Sequence, residues 1–100
     1  MRERRVQFAP EALEDLKDIY DWIADAAGPE RAIGYIERIE AFCRGMGAAS
    51  ERGHLREDIR PGLRITGFER RLSVAFTVSD ETVTILRLFH AGRDWEGALQ

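Results

Sequence analysis

Between Arg4 and Ala9 the chain alternates, Val6 and Phe8 against Arg5 and Gln7, which predicts a short strand. At Pro10 the period changes. Leu13, Leu16, Tyr20, Ile23 and Ala27 recur at steps of three and four, and Ile19 and Trp22 widen the stripe. That spacing predicts an amphipathic helix over 10–27. Proline suits a first helical turn, and Glu11, Glu14 and Asp15 suit its positive end. Ala9 carries no capping oxygen, so proline rather than a cap marks the start. Gly28-Pro29 ends this helix and opens another. The second helix is predicted over 29–46, with Ala32, Ile36, Ile39, Cys43 and Met46 as its stripe and Ile33 and Phe42 beside it. A connection this short folds two helices back as an antiparallel hairpin.

Gly45 and Gly47 end the regular pattern, and 48–62 reads as a polar connection held down by Leu55 and Ile59. It is long for a plain loop. Three strands are then predicted, over 63–68, 72–78 and 83–89. In the second, Leu72, Val74, Phe76 and Val78 alternate with Ser73, Ala75 and Thr77. In the third, Val83, Ile85 and Phe89 fall on one face and Leu86 and Leu88 on the other; a strand apolar on both faces belongs inside its sheet. Phe68-Glu69-Arg70-Arg71 has no glycine where a tight primed turn favours one, which predicts a bulge or a longer loop. The order is βααβββ. The predicted fold class is α+β, a helical hairpin packed on one face of a small, mostly antiparallel sheet, in one domain spanning 1–100.

Composition changes this picture little. The net charge of −3 gives no whole-molecule attraction to nucleic acid, and sequence-specific binding to it by the chain alone is not expected. The distribution says more: acids crowd 11–40, arginines populate the second half, and Lys17 is the sole lysine. Arginine offers a planar fork for carboxylate or phosphate. Cys43 is alone and sits in a helical stripe, so it reads as a small buried hydrophobe. Metal-ligand spacing is missing, and neither a metal nor a cofactor is expected. No long apolar run follows the charged start, so no membrane segment is expected and the cytoplasm is the expected location.

Candidate chemistry gathers at the end of the last strand. Arg87 interrupts an apolar run, His90 ends it, and Arg93 and Trp95 follow Gly92. These four side chains suit a phosphate or a stacked base, and make a candidate target-binding set. A structural reading stands beside it. Arg87 can pair with an acid on the first helix, His90 can satisfy backbone groups, and Asp94 can cap a short final helix.

The run Ile85-Leu86-Arg87-Leu88-Phe89-His90-Ala91-Gly92-Arg93-Asp94-Trp95 resembles the closing signature of ParE toxins, a branch of the RelE/ParE superfamily. Gly53-His54 through Arg60-Pro61-Gly62-Leu63-Arg64 is similar to that family's entry into its second strand, and Phe8 through Leu16 to its first helix. The resemblance implies the βααβββ fold and a type II toxin that inhibits DNA gyrase. It also implies a cognate antitoxin, of the ParD ribbon-helix-helix type, as partner. Arg56, Arg60 and Arg64 are candidate contacts for an acidic antitoxin tail. The RelE branch instead cuts mRNA on the ribosome. For that chemistry the chain offers Arg64, Arg71, His90 and Arg93, with Glu57 as a base by loose similarity. It has no tyrosine in the sheet region and no lysine past Lys17, which makes catalysis the less expected reading. A non-toxic protein-binding module is the third reading.

Overall fold

The computed structural model describes residues 3–90. They form β1 (Arg5–Phe8), α1 (Pro10–Ala27), α2 (Pro29–Gly45), β2 (His54–Leu55), β3 (Arg64–Phe68), β4 (Leu72–Val78) and β5 (Thr82–His90). The strands make one sheet in the order β1-β5-β4-β3-β2. β1 runs parallel to β5, and every other pairing is antiparallel. The helical hairpin covers one face, where Leu16, Ile19, Tyr35, Ile39 and Cys43 meet Val74, Phe76, Val83, Ile85 and Leu88. Burial pushes the Cys43 thiol up to about 12, so it stays a protonated, unreactive core group.

Four details depart from the sequence pattern. β2 is an extra strand inside the predicted loop, with His54 opposite Ile65 and Leu55 opposite Arg64. Two residues are too few to show a period. Leu55 is half exposed rather than an anchor, while Ile59 packs on the sheet's second apolar cluster with Leu63, Ile65, Ala75 and Phe89.

The α1 stripe is also rolled. The buried positions are Ala12, Asp15, Leu16 and Ile19, and Leu13 is 54% exposed. Asp15 causes this, because its carboxylate reaches into the sheet. β1 stops at Phe8, and the edge of β5 beyond it is left without a strand partner. Asp15 Oδ2 fills that place by accepting from the Leu88 N–H at 2.9 Å. On α2, Tyr35 takes the buried position expected of Ile36, which is half buried.

β5 contains a bulge. Ala75 pairs with Arg87 and Phe76 with Ile85, so Leu86 is the extra residue. One inserted residue flips everything after it. Leu88 therefore joins the helical-side core and Phe89 the opposite cluster, the reverse of the predicted faces.

The β3–β4 turn keeps its non-glycine residues at a cost. Glu69 and Arg70 both have positive φ, 51° and 61°, as a primed turn requires. The Arg71 N–H donates to the Phe68 carbonyl at 3.2 Å, yet Phe68 pairs with Leu72, so the expected irregularity is one extra residue. Left-handed backbone costs an ordinary residue roughly 1–2 kcal/mol, partly offset by glycine's greater freedom when unfolded. Arg70→Gly should therefore raise the unfolding free energy by about 0.5–1 kcal/mol, read as a higher urea midpoint. An unchanged or lower midpoint would contradict the strain.

Candidate functional site

At one end of the sheet, α1, α2, the β3–β4 turn and the last residue of β5 surround a cavity of about 410 Å³. Its walls include Trp22 from α1, Tyr35 and Arg38 from α2, Glu69 and Arg71 from the turn, and His90. Each is placed by local structure. Tyr35 and Arg38 are three apart on α2 and so share a face. The strained turn carries Glu69 to Arg38, whose Nε and Nη2 donate to both carboxylate oxygens at 2.8 and 3.0 Å. The Leu72–His90 pairing sets the end of β5 beside that turn.

The rings interlock. Trp22 and His90 centroids are 4.5 Å apart, tilted by 58°. Tyr35 meets His90 edge-on at 6.1 Å, and the Arg38 guanidinium sits 5.3 Å over the Tyr35 ring. The Tyr35 hydroxyl is buried and has no hydrogen-bond partner. Three arginines, Arg31, Arg38 and Arg71, face the cavity against the single carboxylate of Glu69. Arg38 holds the Glu69 carboxyl below its ordinary range by hydrogen bonding. Burial raises the Tyr35 phenol, with Glu69 adding to it and Arg71 and Arg38 opposing.

Burial, and secondarily Arg71, lowers the His90 pKa from its ordinary 6.5. The unfolded chain thus binds a proton here at a pH where the folded chain does not. The stability linked to neutral His90 is fully present above pH 6.5 and is lost as pH falls from there toward the depressed folded value. Melting curves between pH 5 and 8 should show a fall on the acid side that is smaller in His90→Gln. Parallel profiles for the two proteins would assign the fall to other groups.

The sequence-nominated residues divide. Arg71 and His90 come together at this cavity. Arg64 lines a separate cavity of about 310 Å³ with Arg4, Glu51 and Asp80. Its Nη1 donates to the Arg52 carbonyl at 3.4 Å. Arg87 is held by Asp15 through Nε and Nη2 at 2.8 and 3.1 Å, the pairing with an acid of the first helix that the structural reading expects. Glu57 accepts from the Gly62 N–H at 3.3 Å, bracing its own loop. Arg60 is exposed, whereas Arg56 grips Asp58 at 2.9 and 2.7 Å. Arg93, Asp94 and Trp95 lie outside the described residues. Among the described residues no cluster of His, Cys, Asp or Glu is arranged to hold a metal, and no helix is long and apolar enough to cross a membrane.

Trp22, Tyr35, Arg38 and Glu69 were not nominated as site residues from the sequence. Trp22 read as core but is 55% exposed. The available signal was an aromatic at the flank of one stripe and an aromatic–arginine pair at helical spacing on the next element.

Residues 6–95 match the sequence profile described as ParE toxin of the type II toxin–antitoxin system parDE. No curated protein matches the chain. Among solved structures, the chromosomal ParDE system from P. aeruginosa contains a chain with a TM-score of 0.77 and 25% identity. That match covers 89% of this chain and 97% of the other. A chain of the RelBE2 toxin–antitoxin complex from Mycobacterium tuberculosis has a TM-score of 0.63 and 23% identity, covering 90% of this chain and 93% of that one; it shares the fold. With two helices on a mixed sheet as in these relatives, and a profile match over nearly its whole length, the chain belongs to the ParE toxin family of type II toxin–antitoxin systems.

Proposed function

We propose that this toxin arrests growth in the cytoplasm by inhibiting DNA gyrase, and that a ParD-type ribbon-helix-helix antitoxin neutralises it. The observation carrying the reading is the ParE profile match over 6–95. The division of the arginines supports it. Cleaving RNA without a metal needs a base, an acid and charge stabilisation converging on one phosphate. Here Arg64 faces one cavity while Arg71 and His90 face another. A target-binding protein needs no such convergence.

Purified toxin should block gyrase supercoiling, and co-expressed antitoxin should restore growth. Normal supercoiling at large toxin excess refutes the gyrase target. The meeting of Arg71 with His90 gives the second reading, a ribosome-dependent mRNA endoribonuclease, its specific footing. Primer extension after induction separates the two, since that reading requires new transcript ends. Growth unaffected by expression alone would leave a non-toxic binding module. On the antitoxin side, exposed Arg60 is the leading contact for an acidic tail, with Arg64 as a further candidate and Arg56 already paired with Asp58. Attraction through these charges weakens as salt rises.

A further inference from the structure

We infer that the cavity bounded by Trp22, Tyr35, Arg71 and His90 binds a nucleoside monophosphate, its phosphate on Arg71 and the Tyr35 hydroxyl and its base against Trp22. The inference does not depend on the gyrase reading. Tyr35 lines the cavity and is 6% exposed, and its buried hydroxyl has no hydrogen-bond partner. Buried hydroxyls in folded proteins are nearly always bonded, so this donor points to an acceptor supplied from outside. The lining has three guanidinium groups against one carboxylate on a chain of net charge −3. Burial disfavours a charge on His90, so the cationic count rests on the guanidinium groups. A cationic excess of this size matches a phosphate monoester, which carries about −1.5 to −2 at neutral pH. Arginine is the side chain whose fork fits phosphate oxygens.

Size and shape favour an added planar ring. A volume of about 410 Å³ lies within the range of small-molecule sites, and a bare phosphate leaves most of it open. Trp22 is half exposed and backed by His90 at 4.5 Å, a rigid aromatic wall of the kind on which bases stack. A carboxylate or phosphoserine side chain from a protein has no ring to use that wall. Glu69 takes the Nε/Nη2 edge of Arg38, and of the other two lining arginines Arg71 is the one whose charge acts on the Tyr35 hydroxyl, so Arg71 is the guanidinium assigned to the phosphate.

The test titrates the full-length toxin with AMP and UMP, with adenosine and with inorganic phosphate, at constant ionic strength, by calorimetry. The expected result is saturable one-to-one binding of a monophosphate, at least about tenfold tighter than adenosine or phosphate alone. Arg71→Gln should weaken it about tenfold or more, the usual effect of losing a charge-assisted hydrogen bond. Tyr35→Phe should weaken it severalfold while leaving the melting temperature of the empty protein unchanged or higher, because the hydroxyl has no bond to lose there. That second readout separates loss of binding from loss of fold. Failure of both nucleotides to saturate, or full affinity in both variants, overturns the inference. So does equal binding of phosphate alone or of a phosphoserine peptide.

Discussion

Asp15→Ala should lower the unfolding free energy by about 3 kcal/mol, a large share of the roughly 5–15 kcal/mol that holds a domain of this size together. The Asp15 side chain is 6% exposed and accepts three hydrogen bonds: two from Arg87 and one from the Leu88 N–H. Truncation leaves a guanidinium without its main partner and a buried N–H on an open sheet edge. Breaking a buried pair from one side costs about 3–5 kcal/mol, and the 24% exposure of Arg87 places this case at the low end. Asp15→Asn retains one oxygen for the Leu88 N–H and should lose about half as much. Arg87→Ala combined with Asp15→Ala should cost less than the sum of the two by about 1–2 kcal/mol, since the residues are in contact. Denaturant midpoints of the four proteins close that cycle. A loss below about 1 kcal/mol for Asp15→Ala would mean that water satisfies both partners. The same geometry governs any toxicity lost on substituting Arg87. It should come with a lower melting temperature, through the fold rather than through a severed target contact.

Asp15 also shows what periodicity can and cannot tell. The limits of α1 were legible, because Pro10, Gly28 and Pro29 punctuate the chain and the apolar spacing between them has one reading. Which face turned inward was not legible. An aspartate in the second turn of a helix reads as a solvated charge, and only the short β1 creates the edge that draws it inside. The bulge at Leu86 left no trace for a similar reason. A bulge is a mismatch in length between two strands, and no single residue announces it. His90 could be nominated from its residue type at a strand end, and Arg71 only through the chemistry that the resemblance to the RelE branch implies. Tyr35 and Arg38 could not, because a helical stripe sorts residues into core and solvent without saying which of them reaches the end of a sheet.

Gly53→Ala should cost about 2–3 kcal/mol and release β2, while the rest of the fold survives. Gly53 has φ +74, and a Cβ there would collide with the Ile65 carbonyl oxygen and lie 2.9 Å from the Thr66 Cβ. The nearest obstacle is the backbone of β3, so no rotamer change relieves it. The chain at 53 must back away, taking with it the His54–Ile65 and Leu55–Arg64 pairings and straining the 2.7 Å bond from the Arg56 N–H to the Leu63 carbonyl. Gly62 provides the internal comparison. Its φ is +73, but a Cβ there meets nothing within 4 Å, so Gly62→Ala carries the dihedral cost alone, about 1 kcal/mol. The difference between the two variants isolates the close approach of backbone to backbone. Amide exchange should accelerate at Leu55 and Arg56 in Gly53→Ala and stay slow in β4 and β5. This segment also bears Arg56 and Arg60. If those arginines meet the antitoxin, Gly53→Ala weakens the antitoxin complex far more than Gly62→Ala and leaves inhibition of the target unchanged. Equal weakening by the two glycine variants would remove the 53–60 segment from the antitoxin interface.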